Sequence, residues 1–205
     1  MHMPPLETER LLIRPFTMDD LDAIHQILDV DLRLIDVDDQ PVHTFEERKK
    51  WLQWLVMNYE QLEKLLQPPY GDRAVVLKRG HWLIGTCGFV PCLEPFAYLP
   101  FPTCPTDAAE TRYNSAEIGL FYAFSRAYQG QGYATEATKA MIAYAFKVLK
   151  LRRIVATAHD YAHSIGVMQR VGMAIEKNPN PGWPQVIGIL ENRSNSSIKP
   201  GNCRA

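Results

Sequence analysis

The chain reads as a mixed α/β (α+β) domain in three layers, with a central mixed sheet of about seven strands flanked by about four helices. Two observations predict this. Strand-like and helix-like stretches interleave along the 205 residues in the order β, α, α, β, β, β, α, β, α, β, β. An apolar run, Ile118 to Phe124, leads through a glycine-bearing turn into a helical pattern from Tyr133 to about Leu149, the strand–turn–helix unit of a layered sheet protein. The length suits one sizeable core, so residues 1–192 are taken as a single domain and residues 193–205 as a polar, frayed tail.

The elements follow in order. Leu6 to Arg14 contains Leu11-Leu12-Ile13, a short strand ended by Pro15. Thr17 ahead of Met18-Asp19-Asp20 marks a helix start, a hydroxyl with acids in the first turn, and Leu21, Ile24, Ile27 and Leu28 continue at helical spacing. Val30 to His43 is acidic and irregular. Thr44-Phe45-Glu46-Glu47 fits a capping box and opens a helix to about Leu66, with Trp51, Leu52, Leu55, Val56, Tyr59, Leu62 and Leu65/Leu66 on one broad face and Pro68-Pro69 as the stop. Arg73–Lys78 and Trp82–Val90 read as strands joined through Arg79-Gly80 as a hairpin.

Pro91 to Asn114 holds five prolines together with Phe96, Tyr98, Leu99 and Phe101. The prolines deny it a regular sheet position, and the aromatics argue against free disorder. It reads either as a functional loop or as a cover over apolar surface. Ser115–Phe124 is a central strand in which Glu117 is the exception to an apolar run. Ala137, Ala140, Met141, Tyr144, Ala145 and Val148 mark the packing side of the next helix. Arg153–Ala158 is a strand, Ser164–Val171 a helix ended by Gly172, and Met173–Glu176 and Gln185–Leu190 are the last strands.

Composition excludes several functions. The formal net charge of −1 gives no global basic field, so no nucleic-acid partner is expected. No apolar run approaches the roughly 18–20 residues of a membrane span, and no secretory signal is read at the start, so no membrane association is expected. Cys87, Cys92, Cys104 and Cys203 form no C-x-x-C pair and are read as reduced thiols of a cytoplasmic protein. Cys87 has no His/Asp partner at nucleophile spacing. His159 and His163 fit a loop or cap better than a zinc pair, so no metal is expected. Arg152-Arg153 with Lys147 and Lys150 is a small basic cluster at a helix end. Assembly is not legible, and a homodimer is the working expectation.

The chemistry concentrates at Tyr128-Gln129-Gly130-Gln131-Gly132-Tyr133-Ala134-Thr135-Glu136-Ala137. A helix start leaves backbone N–H groups without intrahelical partners, and the helix dipole adds positive charge there. Together they suit a phosphate or pyrophosphate. Neither G-x-x-x-x-G-K-[ST] nor G-x-G-x-x-G is present.

What stands there, Gln129-x-x-Gly132-x-Ala134, resembles the Q/R-x-x-G-x-G/A signature of the GNAT superfamily of acetyl-CoA-dependent N-acetyltransferases. Three further stretches carry the likeness in family order. Leu6-Glu7-Thr8-Glu9-Arg10-Leu11 with Leu12-Ile13-Arg14-Pro15 resembles the opening of the branch that includes ribosomal-protein-alanine acetyltransferases. Leu83-Ile84-Gly85-Thr86-Cys87-Gly88-Phe89 resembles its third strand, and Ser164-Ile165-Gly166-Val167-Met168 with Val171-Gly172-Met173 its last helix.

The resemblance implies a GNAT-like fold, acetyl-CoA as cofactor with coenzyme A as product, and an amine acceptor, either a protein N-terminus or a small molecule. It implies that the backbone N–H groups of Gln131 to Thr135 hold the pyrophosphate, and that Gln129, Gly130, Gln131, Gly132, Tyr133, Ala134 and Thr135 together bind the cofactor. The pantetheine arm would bond along the end of the strand at Tyr122 and Phe124, which splays from its neighbour. Attack by a neutral amine needs proton removal, and the charge developing on the carbonyl oxygen is best met by a backbone N–H near Phe124.

Glu117 is the candidate base, acting through water. Its alternative is a salt-bridged glutamate. Where many family members carry a tyrosine acid, this chain has Met168, so Ser164 and Tyr161 are the candidate acids. Tyr161 also departs from the asparagine the family tends to place there. A non-catalytic acyl-CoA-binding or sensing module is the alternative to an enzyme.

Overall fold

The computed structural model describes residues 3–33, 42–94, 115–158, 162–178 and 184–192. Its elements are β1 (Leu6–Glu7), β2 (Leu11–Arg14), α1 (Leu21–His25), α2 (Phe45–Lys64), β3 (Gly71–Leu77), β4 (Trp82–Glu94), β5 (Ser115–Phe124), α3 (Tyr133–Lys147), β6 (Arg153–Ala158), α4 (Ala162–Arg170), β7 (Ala174–Lys177) and β8 (Val186–Glu191). One eight-stranded sheet runs in the order β1-β2-β3-β4-β5-β6-β8-β7. The strand beyond the expected seven arises because the opening segment folds back on itself. Leu6 pairs with Ile13, and Thr8 closes the turn by donating from its N–H to the Leu11 carbonyl at 2.9 Å.

The two faces of the sheet carry separate cores. On one face, α1 with the π-helical stretch that follows it, and α2, bury Ile24, Ile27, Leu28, Leu52 and Leu55 against Ala74, Val76 and Ala123. On the other, α3 and α4 bury Ala137, Met141, Ala145 and Met168 against Ile84, Phe89, Leu120 and Ile154. Period-two alternation along the strands feeds both.

The helix starts follow their local chemistry, with one change of actor. Thr44 and Glu47 make the reciprocal capping box, Thr44 N–H donating to Glu47 Oε2 at 2.7 Å and Glu47 N–H to Thr44 Oγ1 at 3.4 Å. At the first helix the cap is carried by Asp20, which accepts from Thr17 N–H at 2.8 Å and from both terminal nitrogens of Arg14 at 2.7 and 2.8 Å. That helix opens as a 3-10 turn, Met18–Asp20, and continues past α1 as a π-helical stretch, Gln26–Asp31.

Three expectations need correction. Pro91 lies inside β4, paired with Ile118. β3 reaches only to Phe89, so among the described residues Pro91 has a registered strand on one side only, where a missing N–H is tolerated. The rest of the proline-rich segment, residues 95–114, lies outside the described residues. Leu65 and Leu66 do not extend the packing face of α2, being 66% and 85% exposed, because the helix has ended and Leu66 turns to φ +56°. Val148 is likewise exposed, and Ile142 takes its place in the core.

The feature that positions the site is the junction of β5 and β6. They run parallel and share one registered pair, Gly119 with Val155. Beyond that pair β5 runs on to Phe124 while still pairing with β4. The sheet therefore opens at the end of β5.

Candidate active site

The turn ahead of α3 has the conformation its glycines allow. Gly130 and Gly132 have φ of +73° and +83°, the left-handed region that favours glycine. Gly132 is the N-cap, and no side chain caps the helix start. The Glu136 N–H makes the first helical bond, to the Gly132 carbonyl at 3.0 Å. The amides of Tyr133, Ala134 and Thr135 therefore have no intrahelical acceptor. They form an anion site at the positive end of a 15-residue helix.

The end of β5 supplies the second wall. Ser125 N–H bonds the Ile84 carbonyl at 3.0 Å. By the alternation of an antiparallel ladder, the backbone groups of Tyr122 and Phe124 face the opening side. The Phe124 carbonyl accepts from the Gln129 side-chain amide at 2.9 Å, which ties the turn to the strand. α4 closes the third side. The Tyr122 hydroxyl donates to the Ser164 carbonyl at 2.9 Å, and burial pushes the Tyr122 phenol well above its usual range. A cavity of about 450 Å³ runs between these walls.

The model of the acetyltransferase (GNAT) domain matches residues 10–174. The chain belongs to the GNAT acetyltransferase family. It is similar to YnaD, an uncharacterized N-acetyltransferase of Bacillus subtilis strain 168, at 28% identity over 176 residues and 83% of each chain. Among solved structures, the ribosomal-protein-S5-alanine acetyltransferase of Vibrio fischeri shares the fold at a TM-score of 0.63 and 21% identity, over 92% of this chain and 97% of that one. A ribosomal L7/L12 α-N-protein acetyltransferase in complex with coenzyme A shares it at 0.55 and 18%, over 89% and 93%. An acetyltransferase of the GNAT family from Bacillus anthracis does so at 0.61 and 21%, over 92% and 98%.

On this GNAT scaffold the residues singled out in the sequence separate into three groups. Tyr122, Phe124, Gln129, Gly130, Gly132, Tyr133, Ala134, Thr135 and Ser164 all line the one cavity. Gln131 is turned away from it: its side chain donates to the Ala127 carbonyl at 3.0 Å and its own carbonyl accepts from Arg10 at 3.0 Å. Tyr161 lies outside the described residues, as does His159.

Glu117 is not in the cavity wall. It lies five positions before Tyr122, about 17 Å along a strand. Its carboxylate is gripped by Arg153, one oxygen accepting from Nε at 2.7 Å and the other from a terminal nitrogen. The two residues sit two positions before the Gly119–Val155 pair on their strands, so parallel register sets them side by side. The geometry is that of the salt-bridged alternative. It also takes Arg153 out of the basic cluster at the helix end. Cys87 is fully buried, and burial pushes its thiol well up, as befits a packing residue.

The cavity also has walls the sequence reading passed over. His163, Val167 and Arg170 line it from α4. Their i, i+4, i+7 spacing was available as a signal of one helix face. The Arg170 guanidinium folds back over Gly166, where an added Cβ would lie 3.4 Å from it.

Family membership carries acetyl transfer in general, and acetyl-CoA is the cofactor that GNAT proteins use. The residues present fit it. An uncapped helix start with a left-handed glycine suits a pyrophosphate, and an open strand edge beside it suits an amide-bearing arm.

Proposed function

We propose that this protein transfers acetyl from acetyl-CoA to a primary amine, a protein N-terminus or a small-molecule amine, by direct attack. The observation that carries the reading is the cavity, which joins the uncapped amides of α3 to the open edge of β5. Acetyl-CoA supplies an activated acetyl thioester when bound. The amides of Tyr133, Ala134 and Thr135 would hold its pyrophosphate. The edge at Tyr122 and Phe124 would align its arm, and a backbone N–H there is suited to charge developing on a carbonyl oxygen. Ser164, on the cavity wall, is our choice for a proton donor or relay, with Tyr161 as the second candidate. With Glu117 held by Arg153 away from the cavity wall, we assign proton removal to water at the cavity mouth. Residues 1–192 act as one unit in this reading, since the strands of a single sheet are drawn from Leu6 to Glu191. A cytoplasmic location and a homodimer remain part of it.

The ribosomal-protein acetyltransferases among the fold neighbours make N-terminal amines the acceptor class to try first. Melting temperature is the first measurement. Acetyl-CoA and coenzyme A at about 100 times the dissociation constant should add about 2.7 kcal/mol, a rise of about 5–10 °C, and adenosine monophosphate should not match them. No rise with either sinks the reading. Turnover is then read on peptides with alanine or serine N-termini, against polyamines and aminoglycosides.

One observation favours a second reading, an acyl-CoA-binding module without turnover. Met168 stands where a proton donor is common and is fully packed in the core. That reading predicts the melting shift with no acetylated product from any amine.

A further inference from the structure

The cofactor loop is held by a part of the chain more than 120 residues away. Arg10, just after the β1–β2 turn begins, sends its Nη1 to the Gln131 carbonyl at 3.0 Å. Its Nε donates to Glu136 Oε2 at 2.7 Å and its backbone N–H to Glu136 Oε1 at 2.9 Å. Thr8 Oγ1 adds a third donor to that carboxylate at 2.6 Å. The guanidinium lies 4.3 Å over the Tyr133 ring, and its Nη2 is 3.5 Å from where a Cβ on Gly132 would stand.

We propose, on the reading that this loop binds the pyrophosphate of acetyl-CoA, that Arg10 is a positioning residue for the cofactor with two effects. The first is orientation. In a trans peptide the carbonyl and the next N–H point in opposite directions. Holding the Gln131 carbonyl on the Arg10 side therefore turns the Gly132 N–H to the other side, and Gly132 lines the cavity whereas Gln131 does not.

The second effect is charge. Glu136 lies in the first turn of α3, where its carboxylate would compete with an anionic ligand for the same helix end. Burial alone would raise its proton affinity; the donors from Thr8 and Arg10 more than reverse this and keep it ionised. Arg10 then cancels that charge at the point where a diphosphate must approach.

The two effects come apart in a mutant cycle on the full chain, with coenzyme A binding by calorimetry and steady-state kinetics as readouts. R10M should weaken coenzyme A at least tenfold. It should raise KM for acetyl-CoA by a similar factor while kcat falls less than threefold. R10M/E136Q should recover at least a third of the logarithmic loss, because the uncancelled carboxylate is gone, and R10K should recover less than that. Amide exchange over residues 130–136 should quicken in R10M. Near-native melting would show that the fold is intact. R10M binding within twofold of the parent, or unchanged exchange over the loop, overturns the proposal. If the parent chain itself fails to bind coenzyme A, the proposed function falls, and the exchange readout still decides whether Arg10 orders the loop.

Discussion

The two faces of the sheet solve different problems with different materials. The α3/α4 face offers an anion backbone groups: a left-handed glycine, three uncapped amides and an open strand edge, nearly all from residues 122–135. The α1/α2 face carries its polarity in buried side chains gathered from far apart. Asp29, 4% exposed, accepts from Arg48 Nε and Nη2 at 2.8 and 2.7 Å and meets His25 Nδ1 at 2.9 Å. Burial would raise the Asp29 carboxyl, and Arg48 and His25 pull it below its ordinary value. Asp72 lies two residues before Ala74, which packs on that face. Arg48 offsets only part of its burial, and its carboxyl is pushed up to about 7. A site made of backbone tolerates change in its own side chains and fails on any change that moves its backbone. A face made of buried ions does the reverse.

Four substitutions test that contrast. The largest effect should come from R48M, which leaves the Asp29 carboxylate with His25 alone. Breaking a buried pair costs about 3–5 kcal/mol, read as a large fall in denaturation midpoint, with coenzyme A affinity of the folded fraction unchanged. E117Q should cost about 2–3 kcal/mol by loosening the Arg153 grip. Under the ion-pair reading the pH profile of kcat keeps its shape, and a lost acid limb would return Glu117 to the role of base. G132A forces a Cβ into φ +83°. It should cost about 1–2 kcal/mol of stability and weaken coenzyme A by roughly tenfold; undiminished affinity would show that the loop does not need this conformation.

The smallest effect is on pH dependence. The folded protein keeps the Asp72 proton up to about pH 7, whereas an unfolded aspartate releases it near about 4. The native state therefore binds more protons between those values, and stability falls as pH rises through that window. D72N should match the parent near pH 4 and exceed it above pH 7 by about 1 kcal/mol, since Asp72 is half-buried and solvent screens part of its charge. Equal stability at pH 8 would place the Asp72 carboxylate in water.

Much of the α3/α4 face was legible because its signal is contiguous. Gln129, Gly132 and Ala134 sit within one turn, and the apolar run ending at Phe124 announces the strand that feeds it. What was not legible depends on register and distance. Glu117 stands out as a carboxylate in an apolar strand, but its partner Arg153 is 36 residues on and becomes a neighbour only through the Gly119–Val155 pairing. Pro91 reads as a strand breaker until one sees that β3 ends before it. Arg10 lies in a stretch whose sequence says strand and turn, and only the fold brings it to Gln131 and Glu136. His163, Val167 and Arg170 form a readable stripe, yet no local pattern says what that stripe faces.

The single registered pair between β5 and β6 also bears on time. Among the described residues every other junction of the sheet holds two or more registered pairs, whereas β6 meets β5 through one. A joint with few contacts opens at low cost in free energy. The seam at Gly119 and Val155, riveted by Glu117 and Arg153, is then the first undone. Its strength is written in how long the folded molecule lasts, and the loss in E117Q should fall on the unfolding arm of a chevron rather than on the folding arm.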